Sequence, residues 1–456
     1  MKPSLISNLL PLAVTAGLLC SITTSAAEDD LSGKWTSIIE GFGGQTNTGF
    51  LTLRQDGGAL QGSHEDGFGD SEIEEGRAES GAVSFKITRE FGDRKMVTAF
   101  SGKTEGKAII GTMTIDGRDG PREMKWEAYR TPEIDPTGLW KWKSTSGRDG
   151  AERSSWVKLK HAKGELTGTY RTERGEVAIK DPTLDGKMIS FKVERGFGDR
   201  VSATEYKGTL DGTGIKGSIK SRRGDEQRET EWSASRDTPA ADPLGTWAWT
   251  TRWRRDGEGF ESMLTIEKEG ETLSGSFTGR SGEAPIENPR LEGNILSFEV
   301  TTENDRGSFT SSFRGEIDGD TFEPVVATRF GDREMKRSIT ATRVLPAAKP
   351  VGIWKWTDRR RRGGEESESV LTLKKSDDGQ LGGTLSRGDS ESPIGNLKLE
   401  DNEISFTSER RWRDNSVTIR YQGTIRGDEI KGTTQMGGSD ASTAAWASFW
   451  SAQRSE

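Results

Sequence analysis

Apolar and polar residues alternate along many short stretches of this chain. The clearest set lies between residues 138 and 237, where eight stretches follow one another: Lys141–Lys143, Trp156–Lys160, Leu166–Tyr170, Val177–Ile179, Ile189–Val193, Glu205–Leu210, Ile215–Ile219 and Trp232–Arg236. A period of two is typical of strands with one buried face, and Gly, Asp or Pro turns bound each stretch. No ten-residue stretch has a helical stripe. The pattern predicts an antiparallel meander of about eight strands.

The meander occurs four times. A Gly-x-Trp motif recurs with its tryptophan at positions 35, 140, 247 and 354, at spacings of 105, 107 and 107 residues. A period of this length fits one small domain better than a solenoid turn. We therefore predict four domains over residues 28–131, 137–237, 244–344 and 351–456. The segments between them, 131–136, 238–243 and 345–350, each carry two prolines, so we expect stiff, extended spacers.

Glycine recurs within the predicted strands, next to a large apolar residue. Examples are Leu60-x-Gly62 in the third strand and Phe100-x-Gly102 in the sixth, and both have counterparts in every unit. Phenylalanine recurs in the fifth strand, at positions 85, 191, 298 and 406. Glycine in mid-strand indicates tight curvature or an interior of alternating large and small residues. A strongly curved meander tends to close on itself.

The two ends of each unit carry residues that fit together. An arginine in the last strand lies 95 to 100 residues after the opening tryptophan, and an arginine stacked on an indole would pin the last strand against the first. The predicted closure pairs are Trp35 with Arg130, Trp140 with Arg236, Trp247 with Arg343, and Trp354 with Arg454. The predicted fold is therefore all-β: four tandem eight-stranded antiparallel up-and-down β-barrels joined by Pro-rich linkers.

At these positions the chain resembles the calycin superfamily, which contains the lipocalins, fatty-acid-binding proteins and avidins. In that superfamily a first-strand Gly-x-Trp meets a basic residue of the last strand under the barrel floor. The resemblance covers all four units and rests on those few positions and the strand count. It implies a lipocalin-like barrel and a role in carrying ligands. The chain has no match to the avidins' biotin-contacting residues, so biotin is not implied.

Composition narrows the classes of function. The chain has 65 Lys and Arg against 73 Asp and Glu, a formal charge of −8, which argues against nucleic acid as a partner. Hydrophobic residues make up only 30%, yet the 14 tryptophans at regular intervals indicate packed cores rather than disorder.

Residues 1–27 have the features of a secretory signal. Lys2 supplies the positive start, Leu9–Leu19 a short apolar core, and Ser25–Ala27 a small-residue cleavage site. We expect cleavage near Ala27, a periplasmic or extracellular location, and no transmembrane segment in the mature chain. Cys20 is the one cysteine and lies within this segment, so the mature chain has no thiol for a disulfide, a thiolate metal site or a nucleophile.

The turns at one end of each barrel carry the residues most suited to binding. In an up-and-down barrel the 1–2, 3–4, 5–6 and 7–8 turns ring the mouth opposite the tryptophan-sealed floor. An aromatic ring beside Asp and Arg could stack on a sugar and bond its hydroxyl or acid groups. The candidate ligand-binding residues are Phe91, Asp93 and Arg94; Phe197, Asp199 and Arg200; Phe330, Asp332 and Arg333; and Trp412, Arg413 and Asp414. A purely structural interpretation, in which Gly-Asp makes the hairpin turn and Arg pairs with Asp, stays open.

Catalytic and cofactor motifs are missing from the sequence. We expect His64 and His161 to be solvent-facing strand residues, and no nucleophile elbow, phosphate loop or metal-binding motif occurs. The prediction is a non-enzymatic exported protein without cofactor or metal, binding a glycan, lipid or other small molecule, or a protein, at the barrel mouths. Two alternatives stay open: a structural or protein-interaction module of the cell envelope with filled barrels, and a carboxylate-dependent hydrolase.

Overall fold

The structure of the chain is a computed structural model. It describes residues 30–455 apart from 41–45, 92–93, 118–119, 146–151, 198–199, 224–225, 252–258, 305–306, 331–332, 359–366, 413–414 and 437–445. All regular elements of these residues are β-strands, so the predicted all-β class is confirmed. In the same ranges no helix has the length and apolar character needed to cross a membrane.

Each of the four repeats contributes nine strand segments. Repeat 1 contains β1 Gly33–Glu40, β2 Thr46–Asp56, β3 Ala59–Asp66, β4 Gly69–Glu72, β5 Glu74–Glu79, β6 Ala82–Phe91, β7 Arg94–Glu105, β8 Ala108–Gly117 and β9 Gly120–Arg130. Repeat 2 contains β10 Gly138–Thr145, β11 Glu152–Ala162, β12 Glu165–Thr172, β13 Gly175–Ala178, β14 Lys180–Asp185, β15 Met188–Phe197, β16 Arg200–Leu210, β17 Gly214–Arg223 and β18 Glu226–Asp237.

The other two repeats follow the same order. Repeat 3 contains β19 Gly245–Thr251, β20 Phe260–Glu269, β21 Thr272–Gly279, β22 Gly282–Glu292, β23 Ile295–Asn304, β24 Gly307–Asp318, β25 Thr321–Phe330, β26 Arg333–Ser338 and β27 Ala341–Arg343. Repeat 4 contains β28 Gly352–Asp358, β29 Ser367–Lys375, β30 Leu381–Arg387, β31 Ser390–Pro393, β32 Gly395–Glu400, β33 Glu403–Trp412, β34 Asn415–Arg426, β35 Glu429–Met436 and β36 Ala447–Ser455.

Repeats 1 and 3 are closed eight-stranded antiparallel barrels. In repeat 1 the ladders run from β1 through β2, β3, β5, β6, β7 and β8 to β9, which pairs back with β1. In repeat 3 they run from β19 through β25 to β27, which pairs back with β19. The ninth segment arises because one predicted strand is broken in two, at Ile73 in repeat 1 and at residues 339–340 in repeat 3. In the described ladders β4 pairs only with β3 and β26 only with β25, so each of these two segments keeps one unpaired edge.

Repeats 2 and 4 have the same strand order. Their first and last strands also pair, β10 with β18 and β28 with β36. The series of ladders is interrupted at one place in each repeat, where the fourth strand breaks at Ile179 and at Ile394. There the Ile179 N–H donates to the carbonyl of Gly168 at 3.0 Å, and the Ile394 N–H donates to that of Gly383 at 3.1 Å. The interrupted strand therefore stays next to its neighbour.

The fourth strand bends at the same point in every repeat. A shift of register occurs there, and the residue in the shift has a positive φ: Glu75 (52°), Asp181 (46°), Asn288 (50°) and Asn396 (50°). A bulge of this kind adds one residue to the strand and increases its local twist. Asn and Asp tolerate the left-handed conformation better than most residues, which suits three of the four positions. The sequence pattern predicts the strand but not this bend.

The apolar residues are concentrated inside the four repeats. Each interior forms a single core cluster. At its centre the fifth-strand phenylalanine stacks on an aromatic ring of the sixth strand. The ring centroids are 4.6 Å apart for Phe85 and Phe100, 4.8 Å for Phe191 and Tyr206, 4.6 Å for Phe298 and Phe313, and 4.5 Å for Phe406 and Tyr421. A chain with few hydrophobic residues thus fills the interior of each repeat by placing large rings in it.

The recurring mid-strand glycines allow two strands to approach closely. Gly102 of β7 and Gly111 of β8 lie directly opposite each other in register. A Cβ atom at position 111 would collide with the backbone of Ser101 and Gly102. Repeats 2 and 4 have equivalent opposed pairs, Gly208 with Gly217 and Gly423 with Gly432. The glycines therefore serve tight curvature, one of the two interpretations that the sequence left open.

The Pro-rich linkers are packed under the barrels that follow them. Ile134 packs against the core of repeat 2, Ala241 against that of repeat 3 and Ala348 against that of repeat 4. The sequence predicts stiff, extended spacers but does not predict this packing. Each linker instead forms part of the floor of the next repeat, because its apolar side chain covers the narrow end of the core.

Candidate functional site: the barrel floors and mouths

The structure brings each predicted tryptophan–arginine pair together at the floor. The two residues of each pair lie directly opposite each other on the first and last strands. The distance from the guanidinium carbon to the indole centroid is 4.6 Å for Arg130 on Trp35, 4.4 Å for Arg236 on Trp140, 4.1 Å for Arg343 on Trp247 and 4.2 Å for Arg454 on Trp354. All four indoles are buried. These residues join strands and leave no indole face for a ligand.

Both members of each pair also hold the segment before the first strand. The Trp140 Nε1–H donates to the carbonyl of Pro136 at 2.8 Å, and Trp247 and Trp354 bond Pro243 and Pro350 in the same way. Arg236 Nη1 donates to the carbonyl of Thr137 at 2.6 Å. The glycine of the motif leaves room for this arginine, since a Cβ at position 138 would lie 2.9 Å from Arg236 Nη1. These contacts at the floor account for both the glycine and the tryptophan of the Gly-x-Trp motif.

The predicted mouth residues lie at the tips of hairpins. Within the ladders Phe91 is opposite Arg94, Phe197 opposite Arg200, and Phe330 opposite Arg333, while Trp412 is opposite Asn415. The Arg94 side chain is exposed. The described part of the structure does not include Asp93, Asp199, Asp332, Arg413 and Asp414, nor the side chains of Phe91, Phe197, Arg200, Phe330, Arg333 and Trp412. The backbone therefore places each aromatic residue next to its partner across a hairpin.

Below the mouth of barrel 1 lies a polar group that the sequence analysis missed. The expectation that His64 faces solvent is wrong: its side chain is fully buried. Its Nε2 atom is 3.2 Å from the Ser37 hydroxyl, which also accepts a hydrogen bond from Trp126 Nε1 at 3.0 Å. The imidazole packs 5.4 Å from the ring of Phe100. Burial lowers the pKa of His64 to about 4, because the charged form would lose its hydration.

An ion pair lies above this histidine, closer to the mouth. Arg89 Nη2 is 2.9 Å from Asp66 Oδ1, and Arg89 Nε donates to the Ser71 hydroxyl at 2.8 Å. Asp66 Oδ2 is 3.6 Å from His64 Nδ1, a separation too long for a good hydrogen bond. The nearby carboxylate raises the pKa of His64 and the arginine lowers it, but both effects are smaller than that of burial. Asp66, Arg89 and Ser71 near the mouth and His64 and Ser37 below them thus form a group of polar side chains that reaches down to the aromatic core.

Ser37, His64 and Asp66 follow one another in the order of a hydrolytic triad. Unlike the residues of a catalytic triad, these side chains cannot be reached by a substrate, because Ser37 and His64 are both 0% exposed. A nucleophile must reach its substrate within hydrogen-bond distance of the base, and here the serine hydroxyl is enclosed by core side chains. The arrangement gives hydrogen-bond partners to His64 Nε2 and Trp126 Nε1, whereas the buried His64 Nδ1 has none among the described residues.

Aligning the four repeats would have revealed this group. Ser37 stands two residues after the floor tryptophan, where the other repeats have Trp142, Trp249 and Trp356. His64 stands at the position of Tyr170 in repeat 2 and Phe277 in repeat 3. A strand position that is aromatic in other repeats faces the core, so the inward direction of His64 was contained in the repeat pattern.

Repeat 2 has an arginine at the position of Arg89. Arg195 lies 5.0 Å from the ring centroid of Tyr170, whose hydroxyl is 3.0 Å from that of Ser155 inside the barrel. Its other aromatic neighbour is Trp446 of repeat 4, also at 5.0 Å. Trp446 packs against the core of repeat 2. A side chain from repeat 4 therefore lies over Arg195 at the upper end of repeat 2, although Arg195 itself stays exposed.

Arginine also faces inward in the other two repeats. In repeat 4 Arg387 donates a hydrogen bond to the Tyr421 hydroxyl, at the edge of the stacked aromatic pair. In repeat 3 burial lowers the pKa of the Arg337 guanidinium. The described interiors thus change from aromatic at the centre to cationic near the mouth.

Two depressions on the described surface lie at floor ends. The larger, of about 500 Å³, is lined by linker and hairpin residues of repeat 4, including Pro350, Gln380 and Leu397. The smaller, of about 50 Å³, lies beside Leu31 and Gln55 of repeat 1. Among the described residues no cluster of His, Cys, Asp and Glu could hold a metal ion.

Comparisons with known proteins give weak similarities. No protein-family model matches the chain, and no curated protein matches it in sequence. A candidate outer membrane protein from Bacteroides fragilis aligns over 46% of this chain and 95% of its own, with 14% identity and a TM-score of 0.17. A Nostoc punctiforme protein of unknown function covers 47% and 96%, with 12% identity and a TM-score of 0.18. Transferrin binding protein B from Haemophilus parasuis covers 98% of both chains, with 11% identity and a TM-score of 0.19. TM-scores this low do not identify a relative.

Proposed function

We propose that the chain is an exported, non-enzymatic binding protein whose four repeats are all calycin-like barrels. Its partner meets the rims and outer walls of the barrels and does not enter them. Export rests on the signal-like residues 1–27, and the four-barrel arrangement on the shared strand order and the four floor pairs.

The filled interiors carry this proposal. In each repeat a stacked aromatic pair occupies the centre of the barrel, and Trp126, Trp232 or Trp450 packs edge-on against it in repeats 1, 2 and 4. Lipocalin-like carriers need an open interior to enclose a lipid or another small molecule. The structure therefore favours the filled-barrel alternative over the ligand-carrying interpretation.

Because the interiors are filled, we place the contact with a partner at the rims of the barrels. Each repeat places an aromatic residue at the tip of a hairpin, and in repeats 1 to 3 an arginine lies directly opposite it. Weak contacts repeated along one chain add to a strong overall attachment when the partner is itself polymeric. A glycan polymer or an extended protein surface fits this arrangement better than a small molecule does.

The buried acids of the described residues do not form a hydrolytic pair. Glu127 is the buried carboxylate among them, and it accepts hydrogen bonds from Lys125 at 2.5 Å, Tyr129 at 2.7 Å and Lys163 at 3.0 Å. The Lys125 bond, together with the other two, lowers the pKa of Glu127 to about 2. A carboxylate held ionised by three donors is a poor general acid, which supports a role without catalysis.

Binding to a panel of immobilised neutral and acidic polysaccharides tests the proposal. The Phe91→Ala/Asp93→Ala/Arg94→Ala variant should weaken binding by on the order of tenfold, because one of several linked contacts is lost. Its matched control is Glu105→Ala/Lys107→Ala, which also removes one acid and one base but at the floor end of the same barrel. Equal binding by wild type and both variants would contradict rim contact. Saturable uptake of a fatty acid probe would contradict filled barrels.

A further inference from the structure

Repeats 2 and 4 share a contact that the linear order of the chain does not require. The start of β36 pairs antiparallel with β13, with Gly175 opposite Ser448 and Glu176 opposite Ala447. The Phe449 N–H also donates to the carbonyl of Arg174 at 3.3 Å. The same stretch of β36 pairs with β35 of its own barrel. One strand end therefore joins the walls of two repeats.

Two aromatic residues of this strand end lie on either side of the barrel 2 wall. Trp446 lies over the inward Arg195, which in turn lies over Tyr170, and it packs against the core of repeat 2. Arg171 lies next to the inward Tyr170 in β12, and successive side chains of a strand point to opposite faces. Its guanidinium is 4.7 Å from the ring centroid of Phe449. Trp446 therefore lies on the inner side of the barrel 2 wall and Phe449 on its outer side.

Gly175 makes this approach possible. A Cβ at position 175 would collide with the carbonyl oxygen of Ala447 and lie 2.7 Å from Trp446 Nε1. The glycines at the same turn of repeats 1 and 3, Gly69 and Gly282, have nothing within 4 Å of such a Cβ. The space around this glycine is therefore filled by repeat 4, whereas its counterparts face open space.

We propose that repeat 4 is the resident occupant of the barrel 2 rim. Residues 446–449 cover part of that rim by strand pairing and two guanidinium–aromatic contacts, beside the still exposed Arg195, and an outside partner gains full access only when repeats 2 and 4 separate. Each of these contacts is weak by itself, since a single exposed cation–π pair adds little to stability. Covalent linkage within one chain raises the local concentration enough for weak contacts to hold. The docked pair stands independently of what the rims bind.

Engineered cysteines test the docking directly. In a chain whose Cys20 is replaced by serine, Glu176→Cys with Ala447→Cys should form a disulfide within one molecule, because directly opposed antiparallel residues have suitable Cα separations. The matched control is Glu283→Cys with Ala447→Cys, since Glu283 follows Gly282 as Glu176 follows Gly175. Cross-linking is followed on non-reducing gels. No cross-link, the same yield in the control, or cross-linked dimers would each overturn the proposal.

A glycine substitution tests whether Gly175 is what allows the end of β36 to approach β13. Gly175→Ala in the Glu176→Cys/Ala447→Cys background should slow cross-linking at least tenfold, whereas Gly282→Ala in the same background should leave the rate unchanged. Equal cross-linking rates for the two variants would show that docking does not depend on the absence of a side chain at position 175. Hydrogen exchange of β15 and β16 reports whether repeat 2 stays folded in the Gly175→Ala variant.

The consequence for binding is tested separately. Where the Phe91 rim variant weakens polysaccharide binding, Phe197→Ala/Asp199→Ala/Arg200→Ala should have a smaller effect in the otherwise native chain than in a Trp446→Ala chain. Effects of equal size in the two chains would show that repeat 4 does not hinder access to the rim of barrel 2. Absence of polysaccharide binding by every form would contradict the proposed function and leave the cross-linking result unchanged.

Discussion

The guanidinium of Arg343 lies 4.1 Å from the ring centroid of Trp247, and the two residues face each other in register across β19 and β27. Arg343 also pairs with Asp320 at 3.0 Å and donates to the carbonyl of Asp242 at 2.7 Å in the linker. One side chain therefore connects the first strand, the last strand, a neighbouring hairpin and the entry segment. Its side chain is 10% exposed and that of Asp320 25%, so the ion pair is partly shielded from water.

Removing this arginine should destabilise repeat 3. Arg343→Ala should lower its free energy of unfolding by about 2 to 4 kcal/mol, because the cation–π contact and several charge-assisted hydrogen bonds are lost. Arg343→Lys should recover only part of this, since an ammonium cannot reproduce the planar fork. Hydrogen exchange of peptides from repeat 3 measures the local free energy of opening.

An exposed arginine of the same repeat provides the control. Arg329 is 76% exposed and 3.7 Å from Glu334, so Arg329→Ala should change the stability by no more than about 0.5 kcal/mol. Losses of similar size for the two arginines would show that the floor contact has no special role in repeat 3.

Acid should weaken repeat 1 through His64. Burial lowers the folded-state pKa of His64 to about 4, below its ordinary value of 6.5, so the unfolded chain binds the proton more readily. The stability contribution is therefore complete above pH 6.5 and is lost as the pH falls towards 4. The loss amounts to about 3 kcal/mol. A His64→Phe chain, which carries the residue found in repeat 3, should lack this pH dependence between 4 and 6.5, as measured by hydrogen exchange of repeat 1.

The strands and the floors could be predicted because their causes are local or repeated. Alternation over a few residues defines a strand, and four copies of Gly-x-Trp and of the terminal arginine identify Trp140 and Arg236 as partners although they are 96 positions apart. The bend at Asp181 could not be predicted, because a bulge depends on how the neighbouring strand curves and Asp there is equally suited to a turn.

The sequence could not predict what fills the barrels or how the repeats contact one another. Whether Phe191 and Tyr206 fill an interior or line a cavity depends on barrel diameter, which strand count alone does not determine. The position of Trp446 over barrel 2 depends on how repeats 2 and 4 are arranged in space, and no local pattern encodes that. Its place before the closing strand, where the other repeats have no tryptophan, was the available signal.

The buried serine of barrel 1 should be needed for its polar group. Ser37→Ala removes the acceptor of the Trp126 Nε1–H and the partner of His64, so about 1 to 3 kcal/mol of stability should be lost. Ser101→Ala is the control, since its hydroxyl is exposed and 3.3 Å from that of Thr112. If the two serines prove equivalent by hydrogen exchange of repeat 1, the buried hydroxyl has no structural importance.

The contact between repeats 1 and 2 depends on the charge of Glu127. This carboxylate of β9 accepts a hydrogen bond from Lys163 in the β11–β12 turn at 3.0 Å, and the ring of Tyr129 lies against Gly164 of the same turn. Its hydrogen bond with Lys125 and those with Tyr129 and Lys163 lower the pKa of Glu127 to about 2, below the ordinary 4.5. Its stabilising contribution is therefore present above pH 4.5 and lost as the pH falls towards 2.

A double-mutant cycle measures this contact at neutral pH. Glu127→Gln and Lys163→Met should each destabilise the contact, and the double variant should lose less than the sum, with a coupling of about 0.5 to 2 kcal/mol. Lys158, which pairs with Asp318 of repeat 3, is the control partner: Glu127→Gln and Lys158→Met should be additive within about 0.5 kcal/mol, since they share no bond. Additivity of the Glu127 and Lys163 substitutions would mean that the two repeats are not held together through this carboxylate.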